Sequence, residues 1–310
     1  MSVTNEQQLR PLVIETAMSG VITNAGGEQL NTQSIVDEAK ACIAAGSGIV
    51  HAHHDLSLGL DAAIEQCIAI NQGILAEHPD ALLYPAYMSG FEFEEQHRHI
   101  RPMFEAGVLT MFGFDPGRKN GGRADENGLL TKSVTTGATF QDATAMIEQS
   151  HEFGVPCSLG IFEPGGLRWV KSLGQAGKFV PGTVVKFYFA GNASWGAKGV
   201  GPTWGLPPTK EALEIYLSLI EGSGLPWMVS VLGGSILDTD LVQYAIENGG
   251  HVRVGIEDPL RDTGVSNVEM IQRVISMAHA AGRPVASSRE ALAVLSESTI
   301  SQLEALASIS

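Results

Sequence analysis

Gly48-Ile49-Val50-His51-Ala52-His53-His54-Asp55 reads as a buried strand that ends in polar chemistry. Its apolar lead, Gly48 to Val50, runs without alternation, as a strand covered on both faces should. Side chains alternate along a strand, so His51 and His53 share a face and His54 turns away. Two imidazoles converging at a strand's end form half of a first-row metal site; packed or capping histidines give the same His-x-His pattern. A second stretch has the same form. His251-Val252-Arg253-Val254-Gly255-Ile256-Glu257-Asp258 is a strand pattern that ends in two carboxylates. The fold decides whether these two ends meet.

Working outward, eight strand-like runs are legible: Leu12–Ala17, Gly48–His53, Ala81–Tyr87, Val108–Phe114, Cys157–Phe162, Val184–Phe189, Met228–Gly233 and His251–Ile256. Helix patterns fill the intervals, at Thr32–Ala45, Leu60–Glu77, Glu92–Ala106, Thr139–Phe153, Thr209–Glu221, Thr239–Asn248 and Asn267–Ala281. Weaker ones cover Leu167–Ala176 and Ser287–Leu306. Several end at a glycine, the residue that accepts the left-handed C-cap. Eight strands alternating with helices predict an α/β protein with a (β/α)8 TIM barrel, a fold of typically about 250 residues. The alternative, a doubly wound open sheet, would usually carry a Gly-rich phosphate turn after an early strand, and none is present. One domain over residues 1–310 is expected, with a short N-terminal arm and a C-terminal helical extension. The connections Asp115–Ala138 and Ala190–Pro208 are long and rich in Gly and Pro. In a barrel they belong to the catalytic face.

The composition is that of a globular protein, 44% hydrophobic and 17% charged, with a net charge of −15 and no basic run. Nucleic-acid and anionic-membrane partners are therefore disfavoured. Cys42, Cys67 and Cys157 are odd in number, scattered and in apolar contexts, as expected of reduced core residues in a cytoplasmic protein. The polar N-terminus shows no signal-peptide pattern, and no apolar run nears the roughly 18 residues that span a bilayer.

A barrel gathers all eight C-terminal strand ends on one face. That face would hold Glu15, His51, His53, Tyr87, Asp115 to Asn120, Glu163, Glu257 and Asp258, with Tyr87 a candidate to face the substrate. His51 and His53 can then meet a carboxylate across the mouth. Two histidines and one carboxylate leave an open coordination position, the mark of a catalytic site. Zn²⁺ is the default, and the donor set also admits Mn²⁺, Fe²⁺ or Co²⁺. Glu257 and Asp258 are adjacent and diverge, so one can ligate while the other acts as a base. Arg253 shares alternation phase with Glu257 and would hold Asp258 ionised and oriented. A purely structural ion pair inside the barrel would give the same residues.

At this point the chain resembles the beta-keto acid cleavage enzyme family. The resemblance rests on His51-Ala-His53, Asp115-Pro-Gly-Arg-Lys-Asn120, Gly160-Ile-Phe-Glu-Pro-Gly165 and the block from Gly249 to Asp258. Pro11 to Ala17 and Trp227 to Gly234 fit the same pattern, so it covers roughly Pro11 to Leu295. It implies a TIM barrel that binds Zn²⁺ through His51, His53 and Glu257, with Asp258 as base and Arg253 its partner. It implies Asn120 at the substrate carboxylate and Glu15 in the pocket. The implied reaction condenses a beta-keto acid with acetyl-CoA to give acetoacetate and a new acyl-CoA, in a homo-oligomer, a tetramer by resemblance. Three features depart from the pattern. Pro259 follows Glu257-Asp258 where the family often has Asn. Arg118-Lys119 replaces small residues. Ser158 and Gly160 stand where the type enzyme presents a glutamate to its substrate's amine, which argues against a cationic amino-keto acid. The rival readings are a metal-dependent aldol-type lyase or decarboxylase that needs no CoA, and a non-catalytic barrel that binds a keto acid.

Overall fold

The computed structural model describes residues 10–18, 31–88, 92–125, 127, 129–192, 204–260 and 263–308. Its strands in chain order are β1 (Ile14–Ala17), β2 (Ile49–Ala52), β3 (Leu82–Pro85), β4 (Phe112–Phe114), β5 (Lys119–Ala124), β6 (Leu130–Thr136), β7 (Cys157–Ile161), β8 (Val184–Ala190), β9 (Trp227–Leu232) and β10 (His251–Val254). Eight of them form one sheet in the order β3-β2-β1-β10-β9-β8-β7-β4, and every pairing in it is parallel. Apart from β5 and β6, each strand lies beside its neighbour in sequence, and the first strand pairs with the last. That is the strand order of a (β/α)8 barrel. The remaining seam, between β3 and β4, has no backbone ladder. Thr110 bridges it, its Oγ1 accepting from the Leu83 amide at 2.8 Å.

The helices are α1 (Thr32–Ala45), α2 (Leu60–Leu75), α3 (Phe93–Gln96), α4 (Ile100–Glu105), α5 (Phe140–Phe153), α6 (Leu167–Gln175), α7 (Lys210–Ile220), α8 (Leu241–Glu247), α9 (Asn267–Ala280) and α10 (Ser288–Ala307). Their ends follow capping chemistry. Asn31 accepts the Ser34 amide at 2.8 Å to start α1, and Gly46, at φ 113°, stops it. The single helix expected over Glu92–Ala106 is instead broken into α3 and α4. Pro102 explains the break, because it has no N–H to give the carbonyl of residue 98 and its ring would crowd that carbonyl.

The N-terminal end of the barrel is closed by α10. Ala291, Val294 and Leu295 pack with Val13, Ile49, Leu82, Met111, Val184 and Met228 in one buried apolar cluster. Chemistry is thereby left to the opposite end. There the long connection after β4 is not irregular, as the sequence suggested, but an antiparallel hairpin of β5 and β6. No helix among the described residues is long and apolar enough to cross a membrane.

Candidate metal and catalytic site

The strand alternation that sends Ile14, Val50, Leu83, Val185 and Val252 outward turns Glu15, His51, Tyr84, Lys186 and Arg253 into the barrel, all buried. Beyond β10 the chain must swing over β1 for Glu257 to reach the axis. Gly255 permits this at φ 152°, where a Cβ would sit 2.0 Å from the Ala17 carbonyl oxygen.

His51, His53 and Glu257 converge, with one donor atom from each lying within 4.8 Å of the others. His51 Nε2 is 3.4 Å from Glu257 Oε2, and His53 Nε2 is 3.4 Å from Glu257 Oε1. The Nδ1 of His51 lies 3.2 Å from the Tyr84 carbonyl and donates to it, which fixes the tautomer and aims the Nε2 lone pair at the site. Burial pushes the His51 imidazole below its ordinary value and outweighs the opposing pull of Glu257, so the ring is neutral. Burial alone would raise the Glu257 carboxyl; the opposing pull, to which the Arg253 guanidinium contributes a permanent cation, holds it well below the usual range. Glu257 Oε2 is buried and makes no hydrogen bond. The neutral His51 ring, the His53 imidazole and a carboxylate oxygen lacking a donor suit a divalent cation, and these three residues can hold one. The surrounding charges agree. Among the described residues, Glu15, Glu257 and Asp258 face Lys186 and Arg253 in this buried layer, an excess of one negative charge with all five ionised.

Arg253 is the hub beneath the triad. Its Nη2 lies 3.0 Å from Glu257 Oε1 and 2.8 Å from Asp258 Oδ1, and its Nη1 lies 3.0 Å from Glu15 Oε1. Asp258 Oδ2 keeps only longer contacts, 3.3 Å each from Arg253 Nε and Ser230 Oγ. Burial raises the Asp258 carboxyl to about 6, against the pull of Arg253. Glu15 moves the other way. Burial would raise it, but Lys186 and Arg253 outweigh that and bring it to about 2. Lys186 Nζ donates to Glu15 Oε1 at 2.7 Å and also contacts Tyr84 Oη. The sequence reading does not single out Lys186. A lone lysine inside the apolar run Val184-Val185-Lys186-Phe187 is the available signal, since a fully buried lysine is rare unless paired.

Above this layer is a cavity of about 590 Å³, whose wall includes His51, His53, Glu257, Arg253, Lys186 and Tyr87. Glu15 sits behind that wall and reaches the cavity only through Arg253, Tyr84 and Lys186. Tyr87 Oη donates to Asp115 Oδ1 at 2.7 Å. Asn120 is not brought to the cavity. It is exposed, and its Oδ1 accepts from Thr135 Oγ1 at 3.0 Å across the hairpin. Lys119 and Gly121 on either side of it do line the wall, and alternation along an extended strand turns Asn120 away. Glu163 anchors a loop instead of entering the site, accepting the Gly205 amide at 3.1 Å. His54 faces away from the triad into a small crevice beside Cys67 and Asn71.

The family model for beta-keto acid cleavage enzymes matches residues 11–296. The chain belongs to the beta-keto acid cleavage enzyme family. A 3-keto-5-aminohexanoate cleavage enzyme from Acetoanaerobium sticklandii is 26% identical over 295 residues, 93% of this chain and 98% of that one. A 3-keto-5-aminohexanoate cleavage enzyme from Fusobacterium nucleatum is 36% identical over 86 residues, which is 26% of this chain and 31% of that relative. Among solved structures, ObcA in ternary complex with a C4-CoA adduct and oxalate superposes with a TM-score of 0.61 at 13% identity, over 86% of this chain and 67% of ObcA. ObcA bound to oxaloacetate gives a TM-score of 0.60 at 14% identity, over 86% of this chain but only 66% of that one. The ObcA likeness shows a shared barrel. The family membership makes this chain an enzyme of the beta-keto acid cleavage type.

Proposed function

We propose that this member of the family cleaves a beta-keto acid in a metal-dependent condensation with acetyl-CoA, giving acetoacetate and a new acyl-CoA. The observation that carries the reading is the Arg253 fork, which bridges the candidate ligand Glu257 and the candidate base Asp258 through one nitrogen. His51, His53 and Glu257 would hold Zn²⁺ or another divalent first-row ion. A divalent cation bound there supplies Lewis-acid stabilisation of the enolate oxygen formed when the keto acid is deprotonated.

The remaining chemistry belongs to the chain. Asp258 is buried directly behind Arg253 and Glu257 of the cavity wall, and in this reading it takes the proton from C2 through Oδ2, the oxygen with the longer contacts. Its raised carboxyl brings base strength closer to neutral pH, and Arg253 fixes its direction. Lys186 and Glu15 hold the other side of Arg253. Tyr87, whose phenol burial keeps protonated, lines the wall beyond. With a divalent cation held by His51, His53 and Glu257, the layer's single negative excess would become a single positive one, matching the carboxylate of a beta-keto acid. The enolate carbon attacks the acetyl thioester and releases CoA thiolate. The thiolate attacks the remaining acyl carbonyl, and the carbon–carbon bond breaks to leave the new thioester and the enolate of acetoacetate, which takes back the proton held by Asp258. The ObcA complex with a C4-CoA adduct supports a barrel of this shape admitting a CoA derivative.

The test is a panel of beta-keto acids with acetyl-CoA and the purified protein, read by mass detection. Acetoacetate and a matching acyl-CoA should form together, and only with both reactants present. Keto acid consumption without acetyl-CoA would overturn the reading in favour of a lyase or decarboxylase.

A further inference from the structure

We propose that Lys119 sets the substrate class: it occupies, as the protein's own cation, a seat between an aromatic face and a carboxylate on the cavity wall, so the keto acid taken has an uncharged, apolar tail. Lys119 Nζ lies 3.1 Å from the centroid of the Phe162 ring, well inside the roughly 6 Å reach of a cation–π contact. It also lies 2.9 Å from Asp115 Oδ2. The second oxygen of Asp115 is taken by Tyr87. Phe162 stacks with Tyr188 at 4.4 Å and meets Trp204 edge-on at 4.8 Å.

Two features show that the seat is built. Gly160 leaves space for the carboxylate, because a Cβ there would stand 2.3 Å from Asp115 Oδ1. The β5–β6 hairpin holds Lys119 in register opposite Thr136, at its base and over the cavity. A ring face and a carboxylate around one point, with a phenol orienting the carboxylate through its other oxygen, are groups that receive an alkylammonium. Here that point is filled from within, and Asp115 is neutralised. Phe93, Trp204, Leu232 and Leu260 give the wall an apolar stretch, beside the uncharged polar side chains Gln96, Thr136 and Ser158. His97 lines the same wall as a neutral ring, its burial outweighing its bond to the Phe93 carbonyl. A tail bearing an ammonium would meet Lys119 across a desolvated gap, which is discrimination by repulsion. The cavity of about 590 Å³ far exceeds a keto acid head group, when a water occupies about 30 Å³, and leaves room for an apolar tail.

This rests on the beta-keto acid reading, and binding measured without acetyl-CoA separates the two. The probes are a straight-chain six-carbon beta-keto acid and its counterpart with a terminal ammonium, titrated into the protein with its metal complement as purified. The wild-type chain should bind the uncharged-tail acid about tenfold or more tighter, and Lys119→Ala should reverse the preference by a similar factor. Asp115→Asn added to Lys119→Ala should abolish the gain for the ammonium acid. If Lys119→Ala does not fold, Lys119→Met keeps the stem without the charge and should still shrink the preference at least about threefold. A wild-type chain that binds both acids equally, or a folded Lys119→Ala with an unchanged ratio, overturns the proposal alone. Binding of neither acid overturns it together with the beta-keto acid reading.

Discussion

Arg253 grips Asp258 with two nitrogens on one oxygen, Nε at 3.0 Å and Nη2 at 2.8 Å from Oδ1. The planar fork fixes the carboxylate plane as well as its charge. Asp258→Asn keeps the shape and removes the proton acceptor. Turnover with acetyl-CoA and an active keto acid should fall by about two to four orders of magnitude, with metal content unchanged. Arg253→Lys should also lose rate, because a lysine cannot reproduce the fork. The two losses act through one unit, so the double variant should be little worse than the poorer single variant. A fully active Asp258→Asn would move the base elsewhere.

Metal retention should depend on the triad as a whole. Removing His51 or Glu257 leaves two donors, too few for a tight site. His51→Ala and Glu257→Ala should each lose bound metal while their far-ultraviolet circular dichroism stays that of the wild type. His54→Asn should keep the metal, because His54 turns away from the triad. Elemental analysis decides, and a full metal complement in Glu257→Ala would remove that residue from the ligand set.

Much of this site was legible in the sequence, because the relevant strands are short and buried on both faces. Such strands appear as uninterrupted apolar runs, and the polar residues at their ends stand out, as His51 and Glu257 do. What failed was whatever depended on a residue's neighbours in space. Gly121 and Gly122 weaken the strand signal of β5, so the hairpin looked like loop and the direction of Asn120 could not be fixed. Pro102 breaks a helix whose apolar spacing continues across it. Lys186 lies in a strand that otherwise reads as core, and only the barrel shows that Glu15, far away in sequence, is its partner. Lys119 read as a departure from a family pattern, and only the fold sets it beside Asp115 and Phe162.

The lower half of the barrel should be acid-sensitive through His251. Its Nδ1 accepts the Val13 amide at 3.0 Å, which requires the neutral ring. Burial first, then Arg283 and Arg10, lowers it from 6.5 to about 3. The unfolded chain therefore binds a proton that the folded chain excludes. The stability due to this group is full above about pH 6.5 and declines as pH falls toward about 3, by up to about 1.4 kcal/mol per pH unit. Urea unfolding from about pH 7 to about pH 5 should show that slope reduced in His251→Gln. Equal slopes in the two proteins would mean that His251 is protonated in the folded state.

Lys186 and Glu15 should behave as one buried unit. Nζ and Oε1 are 2.7 Å apart, and both side chains are essentially out of solvent. Lys186→Met removes one of the two cations at Glu15 and leaves Arg253 at 3.0 Å. Glu15→Gln removes the anion between Lys186 and Arg253 and sets two buried cations facing each other. Breaking one side of a buried pair costs about 3–5 kcal/mol, largely because the surviving charge loses its partner. The double variant has neither charge, and the replacement glutamine and methionine fill nearly the same volume as the original pair. Its loss should therefore fall short of the sum of the single losses by about 1–3 kcal/mol. Denaturant unfolding of the three variants, compared at matched metal content, measures that coupling. Strictly additive losses would mean that each residue is held by other partners, and the charge balance argued for this layer would have to exclude the pair.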